Sequence, residues 1–180
     1  LSQGKSIMST QEARSSNIET VLDSKQEIQN KQDKQTFSIE NLYVKNLSLE
    51  SPRTPQAFFE SLQPEIDIQY SIGGQKIKDQ VYECTISTTV TTKLEKSVLF
   101  LCEATQGGLF HIENVEDGAI DYLMNVSCPN ILFPYLRELV SECIVRAGFP
   151  PIFLAPINFE IMYHQRLSKD NLQEESAEEK

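Results

Sequence analysis

The sequence predicts an α+β subunit: a four-stranded antiparallel sheet with two helices packed on one face. Three observations carry this. Four apolar-alternating stretches follow one another between Phe37 and Ile112, most of them joined by short turns. Two stretches with helical periodicity follow in the last third of the chain. Between those two lies a connector that is rich in both proline and large apolar residues.

Residues 1–36 are mostly Ser, Thr, Gln, Asn, Lys and Glu with isolated Ile, Leu and Val. Such a segment buries too little apolar area to offset the entropy of ordering, so it is expected to be a disordered extension. Phe37 to Leu49 reads as a long strand. Phe37 and Ile39 share one parity, Leu42 and Val44 the other, and Leu47 and Leu49 return to the first. A period of two shifts parity only through an extra residue, which predicts bulges near Glu40 and Lys45. Ser51-Pro-Arg-Thr-Pro breaks the strand, and residues 52–64 form a crossover carrying Phe58, Phe59 and Leu62.

Ile66, Ile68, Tyr70 and Ile72 alternate with Asp67, Gln69 and Ser71, as in a half-buried strand. Gly73-Gly74 is expected to supply the positive φ of a turn. Val81 to Leu94 is a third strand, Lys96 falls in a tight turn, and Val98 to Ala104 returns as the fourth. Gly107-Gly108 is expected to mark a bulge or bend before Leu109 to Ile112.

The first helix is expected to begin properly at Pro129, with Ser127 or Cys128 as its cap. Leu132, Tyr135, Leu136, Leu139, Cys143 and Ile144 form one stripe, which Ile131, Phe133, Val140 and Ala147 widen to more than half the circumference. One sheet covers one face of a helix, so the surplus points to a second subunit. Ile131, Val140 and Ile144 are the candidates for that outward face. Gly148 ends the helix. In the connector, Pro150, Pro151 and Pro156 exclude a helix or a central strand. Phe149, Ile152, Phe153 and Leu154 nevertheless make it apolar, so it either seals a core or is a surface built to cover something else. Ile157 to Leu167 reads as the second helix, with Phe159, Met162 and Tyr163 able to face inward. Residues 168–180 read as a flexible acidic tail.

The 180 residues suffice for one ordinary domain, with 39% hydrophobic and 23% charged residues. The net charge of −10 argues against nucleic acid or an anionic membrane and favours a basic partner. Cys84, Cys102, Cys128 and Cys143 are widely spaced and read as reduced buried thiols, not as metal ligands. No apolar stretch approaches the roughly 18 residues of a membrane span, and the N-terminus lacks a signal pattern, so a cytoplasmic protein is expected. Gly73-Gly74-Gln-Lys reads as a hairpin turn and not as a phosphate loop. With no catalytic motif in view, the chain reads as a non-enzyme that needs no cofactor and no metal.

Cys128-Pro-Asn-Ile-Leu-Phe-Pro-Tyr-Leu-Arg-Glu, followed by Gly148-Phe-Pro-Pro-Ile-Phe-Leu-Ala-Pro-Ile-Asn-Phe, resembles the SecB family of protein-export chaperones. Tyr43-Val-Lys-Asn-Leu-Ser-Leu-Glu-Ser-Pro, Pro55-Gln-Ala-Phe-Phe and Leu101-Cys-Glu-Ala-Thr-Gln-Gly-Gly-Leu-Phe extend the match in order across Phe37 to Leu167. The resemblance implies a SecB-like domain over residues 37–167 that assembles as a homotetramer, a dimer of dimers. The dimers would meet through the first helix, with strand one pairing edge to edge within each dimer. It implies apolar grooves for non-native precursor proteins, carried here by Phe58, Phe59, Leu62, Ile66, Ile68, Phe149, Ile152, Phe153 and Met162. It also implies a docking face for the SecA ATPase at Asn46, Glu50, Leu101 and Glu103, where Asn46 departs from the family's common acidic residue. The implied function is to hold unfolded precursors and deliver them to SecA for export across the inner membrane. Two alternatives stay open: a SecB-like chaperone dedicated to one partner such as an antitoxin, and a small-molecule-binding α+β domain.

Overall fold

The computed structural model describes residues 34–59, 63–95 and 97–178, those from 170 onward by backbone alone. Leu62, Lys96 and the expected disorder of residues 1–33 lie outside the described residues. Strands β1 (Thr36–Glu50), β2 (Glu65–Lys78), β3 (Val81–Leu94) and β4 (Ser97–Glu113) form one sheet in the order β1-β4-β3-β2. β2 pairs antiparallel with β3, and β3 with β4. Side chains link Glu40 to His111 and Ser51 to the Leu99 carbonyl. Numbers rise along β1 as they fall along β4, as an antiparallel pair requires. Both β1 and β2 are edges, so the segment after Glu50 must cross the sheet.

Even-numbered residues of β3 and β4 build the core: Cys84, Ile86, Val90, Cys102, Ala104 and Phe110 are all buried. Phe37 stacks on Phe110, while Leu42 and Leu49 also pack against the core. Odd, even and odd residues of β1 thus all reach the same interior, in keeping with the two phase changes read from the sequence.

The glycine pairs are placed differently from expectation. Gly73 and Gly74 lie inside β2, opposite Thr85 and Cys84, and the chain turns later, at Gln80, whose φ is 63°. Close approach explains them: a Cβ on Gly73 would sit 2.8 Å from Thr85 Oγ1, and one on Gly74 2.9 Å from Met124 Cε. Gly107 and Gly108 likewise stay in register within β4, opposite Thr85 and Cys84. The bulge of β4 is instead at Leu99, because Thr92 faces Phe100 whereas Lys93 faces Val98. That extra residue turns two consecutive side chains, Leu99 and Phe100, into the core.

Helix α1 (Asp117–Tyr122) runs through a π turn at Leu123–Ser127 into α2 (Cys128–Arg146). Ser127 is therefore already helical, at φ −69° and ψ −49°, and it caps nothing. Pro129 has no N–H to offer, which suits the widened turn before it, and Asn130 Nδ2 donates to the Val126 carbonyl at 2.9 Å. α2 buries Cys128, Leu132, Phe133, Leu136, Val140 and Ile144 against β3 and β4, and each large side chain contributes about 1.5–3 kcal/mol. Val140 and Ile144 thus belong to the core, not to the outward face expected of them. The helix ends as anticipated. Gly148 at φ +88° lets Phe149 N–H reach the Ile144 carbonyl and Gly148 N–H the Val145 carbonyl. Helix α3 spans Phe159–Glu178 and so continues into the segment read as an acidic tail.

Candidate functional site

The crossover after β1 folds into a 3-10 turn over Gln56–Phe59, with Ala57 N–H on the Arg53 carbonyl at 3.0 Å. Ala57 is buried and fixes the turn, and Phe58 then meets Phe149 at a ring distance of 5.4 Å. Phe149 in turn lies 4.8 Å from Phe100 of β4. Gly148 is needed here a second time, since a Cβ on it would stand 3.1 Å from the Phe58 ring. The connector beyond it has no regular structure but is anchored by Leu154 and Phe159, both fully buried. Just before Leu154, and two residues after Ala57, large rings are left in solvent: Phe153 is 75% exposed and Phe59 88%.

The eight described residues among those expected to face a client are therefore not one continuous patch. Phe58 and Phe149 are in contact, with Phe59 beside them, and Ile152 is half-buried against the core. Phe153 instead borders a hollow with Pro134, Arg137 and Val145 on the outward side of α2. Ile66 and Ile68 lie on the helix-side face of β2, Ile66 about half exposed and Ile68 packed on the core. Met162 faces a cavity of about 220 Å³ shared with Tyr70 and Ile72 of β2 and with Tyr163 and Arg166 of α3. Tyr70 and Ile72 were not among the expected residues, although their parity is that of Ile66 and Ile68. Tyr70 meets Phe133 edge-on at 6.2 Å, and Phe133 meets Phe159 at 5.7 Å. Burial pushes the Tyr70 hydroxyl pKa up, and Arg137 partly offsets this.

A polar cluster joins α3 to the helices before it. Asp121 accepts hydrogen bonds from Tyr163 Oη at 2.8 Å and Asn125 Nδ2 at 2.8 Å, and Arg166 approaches it at 3.4 Å. Arg166 also donates to Asn125 Oδ1 at 2.7 Å and lies over the Tyr163 ring. The bond to Asp121 raises the pKa of Tyr163.

On the opposite face of the sheet, Leu101 and Glu103 alternate with the buried Phe100, Cys102 and Ala104, and Glu103 is exposed. Asn46 and Glu50 are exposed on β1. The same face holds Glu83, only 7% exposed, which takes hydrogen bonds from Lys45, Tyr43 and Gln75. The thiols of Cys84, Cys102 and Cys128 are free and buried. Burial pushes the Cys102 thiol up to about 12, and the hydrogen bond between Cys128 and Cys84, reinforced by burial, raises the Cys128 thiol as well. Among the described residues no cluster of potential metal ligands forms, and no helix is long and apolar enough to cross a membrane.

The family described as "Preprotein translocase subunit SecB" matches residues 30–170. The protein-export protein SecB of Chromobacterium violaceum is 53% identical over 130 residues, covering 72% of this chain and 87% of its own. That of Neisseria meningitidis serogroup A is 53% identical over 131 residues, covering 72% and 89%. The fold is also that of the SecB-like chaperone of Mycobacterium tuberculosis, solved in complex with a peptide from an antitoxin. It superposes with a TM-score of 0.57 at 14% identity, over 67% of this chain and 90% of that one. With most of the chain matched, and half of the aligned residues identical to curated relatives, the chain belongs to the SecB family.

Proposed function

We propose that this chain is a protein-export chaperone that binds non-native precursor proteins and hands them to SecA. The observation that carries the reading is the mounting of Phe58, Phe59 and Phe153. Their rings are exposed, while Ala57 and Leu154, next in sequence to Phe58 and Phe153, and Phe149, against the Phe58 ring, are buried. Exposed rings on fixed mounts offer broad apolar contact with little shape demand, which suits many unfolded chains. Binding opposes folding and aggregation by mass action, with no covalent step and no cofactor. Met162, Tyr70 and Ile72 extend the apolar surface along β2, with Ile66 and Ile68 above them.

Leu101 and Glu103, with Glu50 and Asn46, form the docking face for SecA, on the side of the sheet away from the client surface. The chain acts in the cytoplasm as a homotetramer, a dimer of dimers. Half-exposed Tyr135 and Val145 on the outward side of α2 support the contact between dimers, and exposed Phe37, Ile39, Val44 and Leu47 on edge strand β1 support the pairing within each dimer. Residues 37–167 form the chaperone domain, with residues 1–36 and 168–180 as extensions.

The test is the aggregation of an unfolded precursor followed by light scattering. The protein at equimolar concentration should suppress the signal, and the double variant Phe59→Ser with Phe153→Ser should lose most of that effect while keeping its thermal stability. A protein that leaves scattering unchanged would remove the chaperone reading.

A further inference from the structure

Helix α3 is fixed at two places with different chemistry. Its first residue, Phe159, is buried and meets Phe133 edge-on, and Asn158 Oδ1 accepts the Ile161 N–H at 3.0 Å. One and two turns later the fixing is polar and lies at the surface. Tyr163 and Arg166 both reach Asp121, and Arg166 also reaches Asn125. Asp121 stands on α1, and Asn125 stands on the π turn that follows it.

The two kinds of contact differ in how readily they give way. Withdrawing a buried ring from a core is costly, whereas an exposed network of hydrogen bonds exchanges with water at small net cost. The buried ring is therefore a pivot and the polar network a latch. At 1.5 Å per residue Arg166 stands about 10 Å from the pivot, so a tilt of about 10° there moves it roughly 2 Å and moves Met162, about 4.5 Å along, by less than ~1 Å. Met162 lies between pivot and latch and forms one side of the cavity against Tyr70 and Ile72. Tyr163, Arg166 and Asn125 line the same cavity, so the latch itself sets how closely this wall stands to β2.

We propose that Asp121 is a positioning residue for client retention: with Asn125, Tyr163 and Arg166 it latches α3 against the α1 end of the helical rod, and so governs how fast a bound chain escapes. This rests on the client-binding reading given above. Release of the latch lets the Arg166 end of this wall move away from β2 and opens the cavity beside Met162, while leaving the core, the crossover rings and the outer face of the sheet in place. The cluster is suited to exchange of charges. The Asn125 amide donates to Asp121 and accepts from Arg166, so turning it over serves the reverse arrangement equally well, and the Tyr163 hydroxyl can accept as well as donate.

The experiment uses the full chain and reduced, carboxymethylated lactalbumin as a permanently unfolded probe, with dissociation followed by stopped-flow displacement. Asp121→Ala and Arg166→Ala should each speed dissociation about three- to tenfold, the range expected for losing a surface network. Their melting temperatures should stay within a degree or two of the parent. The double variant Asp121→Arg with Arg166→Asp should restore slow dissociation. Unchanged dissociation in both alanine variants overturns the latch. So does faster dissociation that comes with a large loss of melting temperature and is not rescued by the exchanged pair, since the residues would then serve folding alone. A parent protein that fails to bind the probe overturns the client-binding reading itself, and that result is read before any variant is made.

Discussion

Lys45 on β1 holds Glu83 on β3 with its Nζ 2.8 Å from both carboxylate oxygens, although β4 lies between their strands. Tyr43 makes the same crossing above Gly107, which has no side chain to block it. A Cβ there would stand 2.7 Å from the Tyr43 ring, which lies over the glycine as its hydroxyl reaches Glu83. Gln75 of β2 donates to the same carboxylate at 2.6 Å. One buried acid thus ties both edge strands to the centre of the sheet.

Glu83 should make stability depend on acid. Hydrogen bonds from Lys45, then Tyr43 and Gln75, hold its pKa at about 2, against an ordinary 4.5. A depressed carboxylate stabilises the fold above the unfolded value and loses that contribution as pH falls through the folded one. Acid titration followed by circular dichroism should therefore show stability declining between pH 4.5 and about 2. Glu83→Gln should flatten that region and cost on the order of 2 kcal/mol at neutral pH. An unchanged acid profile would show that the cluster contributes little.

Thr92 offers a gain in stability. Its hydroxyl is buried on the helix side of β3 with no hydrogen-bond partner among the described residues. Thr92→Val keeps the shape and removes the unpaired group, so it should raise stability by about 1 kcal/mol. Denaturant unfolding reads this as a higher midpoint at unchanged slope. A fall in the midpoint would mean that the hydroxyl is satisfied in solution.

Assembly should be sensitive to charge on the outward side of α2, whereas charge on its inner side should cost the fold itself. Tyr135 and Val145 are each 50% exposed, whereas Val140 is fully buried. Tyr135→Asp or Val145→Asp should give folded dimers by native mass measurement. Val140→Asp should instead unfold the subunit, because it buries an unpaired charge at a cost of several kcal/mol. Tetramers in both surface variants would place the contact between dimers elsewhere.

Handover should separate from holding. Changing Glu50 and Glu103 together to Lys replaces attraction of a basic partner by repulsion, and should weaken SecA about tenfold. Binding of an unfolded precursor should change little, because Phe58, Phe59 and Met162 lie on the other side of the sheet. Calorimetric titration with each ligand gives both numbers, and an equal loss for both would merge the two surfaces into one.

The periodic parts of this protein are determined by its sequence alone. Alternation in β2 and β3, the apolar stripe of α2, and Gly148 as its stop are local patterns that depend on neighbours two to four residues away. The family was legible for the same reason, in the ordered run from Tyr43 to Phe159. What only the tertiary structure decided depends on close approach between distant residues. Gly73, Gly74, Gly107 and Gly108 look like turn residues in sequence. They are strand residues because Thr85, Met124, Tyr43, Phe110 and Leu132 occupy the space a side chain would need. Val140 and Ile144 look as able to face outward as inward, and the position of the sheet settles them inside. Likewise, nothing local links Asp121 to Arg166 or Lys45 to Glu83. Those pairs exist because the fold brings together residues some forty positions apart.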